Sequence, residues 1–186
     1  LLIHSLKISQ AKLFAQGPAA LFLAQTGDKW IEYEQAEFAK LNRLLVNSGE
    51  SIPTTTDQYK QFTMLEEDGV TKYQQGDDQL FALVKDFDTQ TLFITKAIAL
   101  AQKEKCPELA NNLTDLLAWI KRQIALTQRF LGHNLRTGLY TEDDDDDFIA
   151  GLGLRRRAGP GMSSQLSART SRSSHGDGKD PESQEL

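Results

Sequence analysis

One cysteine, Cys106, and three histidines stand in 186 residues. A lone thiol excludes an internal disulfide and a cysteine-rich zinc module, and so few histidines disfavour a finger-like site. It also fits a reducing, cytoplasmic setting. No apolar run approaches the ~18–20 residues that a membrane span needs, and no charged-then-apolar leader precedes the first polar stretch. A glycine-rich phosphate loop and a Ser/His/Asp arrangement for hydrolysis are both missing. So is a helix-turn-helix or zinc motif for DNA recognition. The chain opens on Leu1 rather than Met, which sets the expectation of a first helix that has lost its beginning.

The net charge of −5 hides an internal change. Residues 1–140 carry 15 Lys+Arg against 16 Asp+Glu, and most of those bases are lysine. Residues 141–186 carry 6 against 10, and all but one of those bases are arginine. An acidic run at 142–147 leads into Arg155, Arg156 and Arg157, then into a stretch of Ser, Gly and Arg. After Ala158 the large apolar residues are Met162, Leu166 and Leu186, too few to offset the entropy of ordering that length. The expected division is therefore a folded body over 1–140 and an acidic run with a tail over 141–186, disordered from about 150. The shift from lysine to arginine points to an ending of different origin, fused or frameshifted, which then says nothing of function. The acidic run reads as solvated charge or as a weak divalent-cation binder. Arg155, Arg156 and Arg157 are candidate non-specific phosphate contacts, although the stretch around them has no aromatic residue for base stacking.

A helical period dominates the body and no strand pattern competes. Leu2, Leu6, Leu13 and Phe14 fall close to one stripe of an opening helix. Gly17-Pro18 then ends one helix and starts the next. The second helix runs to about Asn47, where Ser48-Gly49 stops it; its interior Gly27 marks a weak place, with a kink expected over 26–29. Thr55 or Thr56 is the N-cap of a short helix over 58–64, and 66–76 is a loop. A third long helix starts near Asp77 or Asp78, with Leu80, Leu83, Val84, Phe87, Ile94, Ile98 and Ala101 as its apolar face and one weak turn at Thr91. Cys106-Pro107 breaks it. The last helix places Glu108 in its first turn, buries Leu109, Leu113, Leu116, Leu117, Ile120, Ile124 and Leu131, and ends at Gly132. Four long helices with a short helix in the crossover between the second and third make an all-α, ferritin-like four-helix bundle.

The second helix carries Glu32, Glu34 and Glu37 beside Tyr33. Glu34 and Glu37 share a face at i,i+3, which reads either as a solvated surface or as a pair of oxygen ligands for a hard cation. The Glu-x-x-His pattern of a di-iron bundle is absent. His4, with Ile3 and Leu6 around it, reads as a structural histidine, and His133 as a C-terminal cap.

Three stretches carry a resemblance to a known family: Ile52-Pro53-Thr54-Thr55-Thr56-Asp57-Gln58-Tyr59 before the short helix, Asp86-Phe87-Asp88 with Ala97-Ile98-Ala99-Leu100-Ala101-Gln102-Lys103-Glu104, and Thr114-Asp115-Leu116-Leu117. Over about 1–135 the chain resembles the Dps mini-ferritins (DNA protection during starvation), most of all divergent members from lactic-acid bacteria. The resemblance implies a dodecameric shell, storage of iron (Fe2+/Fe3+), DNA protection under stress and non-specific DNA binding. It places Asp115 at an acidic three-fold pore, which Glu108, two turns earlier, extends. It also implies an oxidation site between subunits, but Lys12 and Ala24 stand where two histidines are expected, and Phe38 and Asn42 near the acidic pair. The expectation is a shell without a standard ferroxidase centre. The alternatives are a DNA-compacting shell with little iron chemistry and a di-iron oxidase built on Glu32, Glu34 and Glu37.

Overall fold

The computed structural model describes residues 1–140, and these are all-helical. The acidic run at 142–147, Arg155, Arg156, Arg157 and the Ser/Gly/Arg-rich stretch lie outside the described residues. The long helices are α1 (Leu2–Phe14), α2 (Pro18–Asn47), α4 (Gly76–Lys103) and α5 (Pro107–Phe130), with the short α3 (Thr56–Phe62) in the crossover between α2 and α4. This is the ferritin-like four-helix bundle. No helix among the described residues is long and apolar enough to cross a membrane.

Local chemistry sets the boundaries. Gly17 takes φ +65° as the N-cap of α2, and Pro18 follows where a missing N–H costs nothing. At the other end Gly49, at φ +84°, lets the Glu50 N–H reach back to the Leu45 carbonyl. Thr55 caps α3 through a capping box: its hydroxyl accepts from the Gln58 N–H, while the Gln58 side chain accepts from the Thr55 N–H at 3.2 Å. Tyr59 fastens the turn before it by donating its hydroxyl to the Pro53 carbonyl at 2.8 Å. The stretch expected to be loop holds a short 3-10 helix over Gly69–Tyr73. Asp68 starts it by accepting from the Val70 N–H.

The apolar core runs the length of the bundle. Leu23 and Trp30 of α2, Leu80, Leu83, Val84 and Phe87 of α4, and Leu116, Ile120 and Ile124 of α5 are all buried in it. Each large side chain so buried is worth ~1.5–3 kcal/mol. Phe87 is the hub, with ring centroids of His4, Trp30 and Trp119 at 4.3, 5.3 and 5.9 Å.

Two expectations need correction. Leu6, Leu13 and Phe14 do not form the docked stripe of α1: Leu13 is 79% exposed, and the buried residues are His4, Ser5, Ile8 and Ala11. Polar pairing, described below, sets that face. α2 is one continuous helix through Gly27. A Cβ there would stand 2.7 Å from Lys12 Cγ and Cδ, so the glycine is a close-approach position for the lysine stem. The weak turn of α4 around Thr91 is not a gap either. Asp86, Asp88, Thr89 and Gln90 are buried there, so polar residues fill the place where apolar periodicity falters.

Candidate functional site

The groove between α2 and α5 gathers the candidate residues that meet. Tyr33 of α2 stacks on Trp119 of α5, with centroids 4.2 Å apart and planes 19° from parallel. Glu37 lies one turn further along α2 and Asp115 one turn before Trp119 on α5. Both carboxylates act on Tyr33: burial pushes its hydroxyl pKa up, Glu37 and Asp115 add to that, and Arg122 opposes them. Glu37 is buried, with Lys40 Nζ 3.5 Å from Oε1 and with Oε2 lacking a hydrogen-bond partner. Asp115 is exposed. Carboxylates from two helices thus flank one aromatic stack, with Lys40 paired to Glu37 and Arg122 acting against both at Tyr33.

Glu34 goes elsewhere. It is fully buried, and its Oε1 shares a 2.6 Å hydrogen bond with His4 Nδ1. The solvated-surface reading of Glu34 and Glu37 is therefore wrong for both. The spacing that reveals this is Leu23, Gly27, Trp30, Glu34, Glu37: steps of four and three continue the apolar stripe straight through the two glutamates. Glu32, by contrast, is exposed. Among the described residues no three His, Cys, Asp or Glu side chains converge as a metal-holding group.

A second, partly buried pair lies beside the first. Lys7 Nζ is 2.8 Å from Asp86 Oδ1 and 2.6 Å from Oδ2, and it also donates to the Glu66 carbonyl at 2.8 Å. Burial pushes the Asp86 pKa up; the Lys7 hydrogen bond and charge and His4 work against it, while Glu34 adds to it. Sequence reasoning found neither partner of this pair.

The remaining candidates are spread apart. Glu108 is exposed in the first turn of α5, where its backbone carbonyl accepts from Asn112 Nδ2 at 2.7 Å. His133 caps α5 through its backbone rather than its ring: its N–H reaches the Gln128 carbonyl at 2.9 Å past Gly132, at φ +70°. The imidazole is 3.1 Å from Gln128 Oε1 and lies edge-on to Phe81.

At the positions where the resemblance expects oxidation ligands, Lys12 forms an ion pair with Asp28, and Ala24 is exposed. Phe38 packs edge-on to Tyr59, with ring centroids 5.9 Å apart. An ammonium, a methyl and a phenyl ring offer nothing to ferrous iron.

No family model and no curated protein matches the chain. Solved structures do. The crystal structure of the Lactococcus lactis MG1363 DpsB protein is 28% identical, covering 72% of this chain and 77% of that one, with a TM-score of 0.66. Lactococcus lactis MG1363 DpsA is 26% identical over 71% and 77%, also at 0.66. Dps from Listeria monocytogenes, at 21% identity over 72% and 86% with a TM-score of 0.68, shares the fold. In its bundle, its crossover helix and its sequence, the chain is similar to these Dps proteins and shares their ferritin-like fold.

Proposed function

We propose that the chain is a mini-ferritin subunit that assembles into a closed dodecameric shell, sequesters iron and protects DNA under stress without a standard ferroxidase centre. The observation that carries this reading is the Dps-type bundle whose expected ligand positions hold Lys12, Ala24, Phe38 and Asn42. Iron is the cargo. It is drawn to the exposed Asp115, with Glu108 extending the acidic funnel and Glu37 lying deeper beside Tyr33. Oxidation of that iron by dissolved dioxygen or peroxide then falls to dispersed carboxylates on the inner surface rather than to one built site.

Light scattering on the eluting particle tests assembly, and a monomer or dimer overturns the shell. Ferrous uptake by that particle, compared with Asp115→Asn, tests the pore; the variant is expected to load several-fold more slowly, and equal rates remove Asp115 from the path.

A second reading is a DNA-compacting shell with little iron chemistry, motivated by the missing histidines, with Lys12 paired to Asp28 at the first ligand position. Here Arg155, Arg156 and Arg157 neutralise phosphates. Their joint change to alanine is expected to lower the salt slope of DNA binding by roughly two to three. Iron counted per particle separates the readings: negligible loading beside strong, salt-sensitive DNA binding selects the second.

A further inference from the structure

A ferrous ion gives up one electron, whereas reducing hydrogen peroxide to water takes two. A lone ion on a carboxylate therefore splits peroxide into hydroxide and a hydroxyl radical, which damages DNA and protein alike. Among the described residues no three His, Cys, Asp or Glu side chains converge to fix two irons side by side. The second electron then has to come from a side chain, and phenol and indole rings give one up readily.

The groove between α2 and α5 puts two such rings face to face. Tyr33 and Trp119 are both half-buried, with ring centroids 4.2 Å apart and planes 19° from parallel. Trp119 covers one face of the phenol and packs edge-to-face on Phe87 at 5.9 Å, so the stack is held against the core. One turn along α2, Glu37 is 9% exposed, yet its Oε2 has no hydrogen-bond partner. Lys40 reaches the other oxygen, at 3.5 Å. A buried carboxylate oxygen left unmet is costly, and it suits a hard cation. Two other tyrosines are worse placed. Tyr59 commits its hydroxyl to the Pro53 carbonyl. The ring of Tyr73 lies 5.0 Å from Lys72 Nζ, and a cation over a ring opposes the loss of an electron.

We propose that the Tyr33–Trp119 stack is a one-electron donor site that completes the reduction of hydrogen peroxide by iron at Glu37, so that no hydroxyl radical leaves the protein. The proposal rests on the iron-storage reading above. A first ferrous ion gives an electron to peroxide, whose O–O bond breaks into hydroxide and a hydroxyl radical. The Tyr33 O–H bond breaks next: its hydrogen atom converts the radical to water and leaves a tyrosyl radical, shielded on one face by Trp119. A second ferrous ion returns the electron, and a proton from solvent restores the phenol. In sum, two ferrous ions, one peroxide and two protons become two ferric ions and two waters.

The test uses assembled full-chain particles given ferrous iron without dioxygen and then hydrogen peroxide. Freeze-quenched electron paramagnetic resonance is expected to show a tyrosyl radical that decays as more ferrous iron is added. Tyr33→Phe, which keeps the stacked ring, is expected to lose that signal. The hydroxyl radical caught by a spin trap, per iron oxidised, is expected to rise several-fold in this variant. No tyrosyl signal in the unmodified chain overturns the proposal, as does a signal or a trapped yield that Tyr33→Phe leaves unchanged. Iron counted per particle keeps the two readings apart. Particles that take up no iron overturn storage and this proposal with it, whereas full loading with no tyrosyl signal overturns this proposal alone.

Discussion

The two hairpins of this bundle are built on different physics. The α4–α5 pair is joined through a tight turn at Lys105 and closes over a seam led by Leu83, Phe87, Leu116 and Ile120. The α1–α2 pair meets through the His4–Glu34 bond, a lysine stem laid over Gly27, and the short apolar contacts of Ile8 and Ala11. The apolar seam gains from area removed from water and tolerates small shifts. The polar seam gains little net stability but is sensitive to geometry, because losing one partner leaves a buried charge without compensation. The same fold thus combines a hairpin that supplies stability with one that supplies specificity of docking.

The strongest test of this contrast removes the residue that both hairpins share. Phe87 touches His4 and Trp30 on one side and Trp119 on the other, so Phe87→Ala is expected to cost about 4 kcal/mol in denaturant unfolding. A loss under half of that indicates that the hairpins pack independently of the ring.

Next in size is His4→Ala, expected to cost about 3 kcal/mol because Glu34 is left buried and unpaired. The paired change His4→Leu with Glu34→Leu is expected to restore most of it. If the double variant is as unstable as the single one, the polar seam is a source of stability after all.

Asp86 sharpens the contrast through pH. Its carboxyl pKa is raised in the fold, so the native state holds this proton more tightly than the unfolded chain does. Its contribution is fully present below the ordinary value of 3.8 and is lost as pH rises through the raised one. In Asp86→Asn that fall in stability with rising pH is expected to disappear. Midpoints of denaturant unfolding, measured from the ordinary aspartate range upward, read the difference directly. An unchanged pH profile removes Asp86 as its source.

Gly27→Ala is the smallest of the four. The new methyl displaces the Lys12 stem and loosens its pair with Asp28, but alanine returns about 1 kcal/mol of helix propensity. The expected net change is within ~1 kcal/mol. A larger loss would mean that the lysine stem cannot move aside.

The sequence was legible where apolar periodicity and punctuation agree. Pro18, Gly49, the Thr55 N-cap and Pro107 mark real boundaries, and the stripes of α4 and α5 are the observed core. It misled where polar side chains occupy core positions. Glu34 and Glu37 continue the stripe of Leu23 and Trp30 at the right spacing, yet residue type alone argues for solvent. Leu6 and Leu13 of α1 argue for burial yet face outward, because His4, Ile8 and Ala11 define the inner face. Pairings such as Lys7 with Asp86 join positions far apart in the chain, and a single sequence carries no local trace of them.

After Gly132 the chain does not leave at the tip of α5. It turns back along α4, where Gln128 Nε2 holds the Thr137 carbonyl at 2.8 Å and the Tyr140 N–H ends on Asp88 Oδ2 at 2.7 Å. From Phe81, which meets His133, to Asp88 is about 10 Å of helix. The described chain thus ends held at Asp88, near the middle of α4, rather than hanging from the tip of α5.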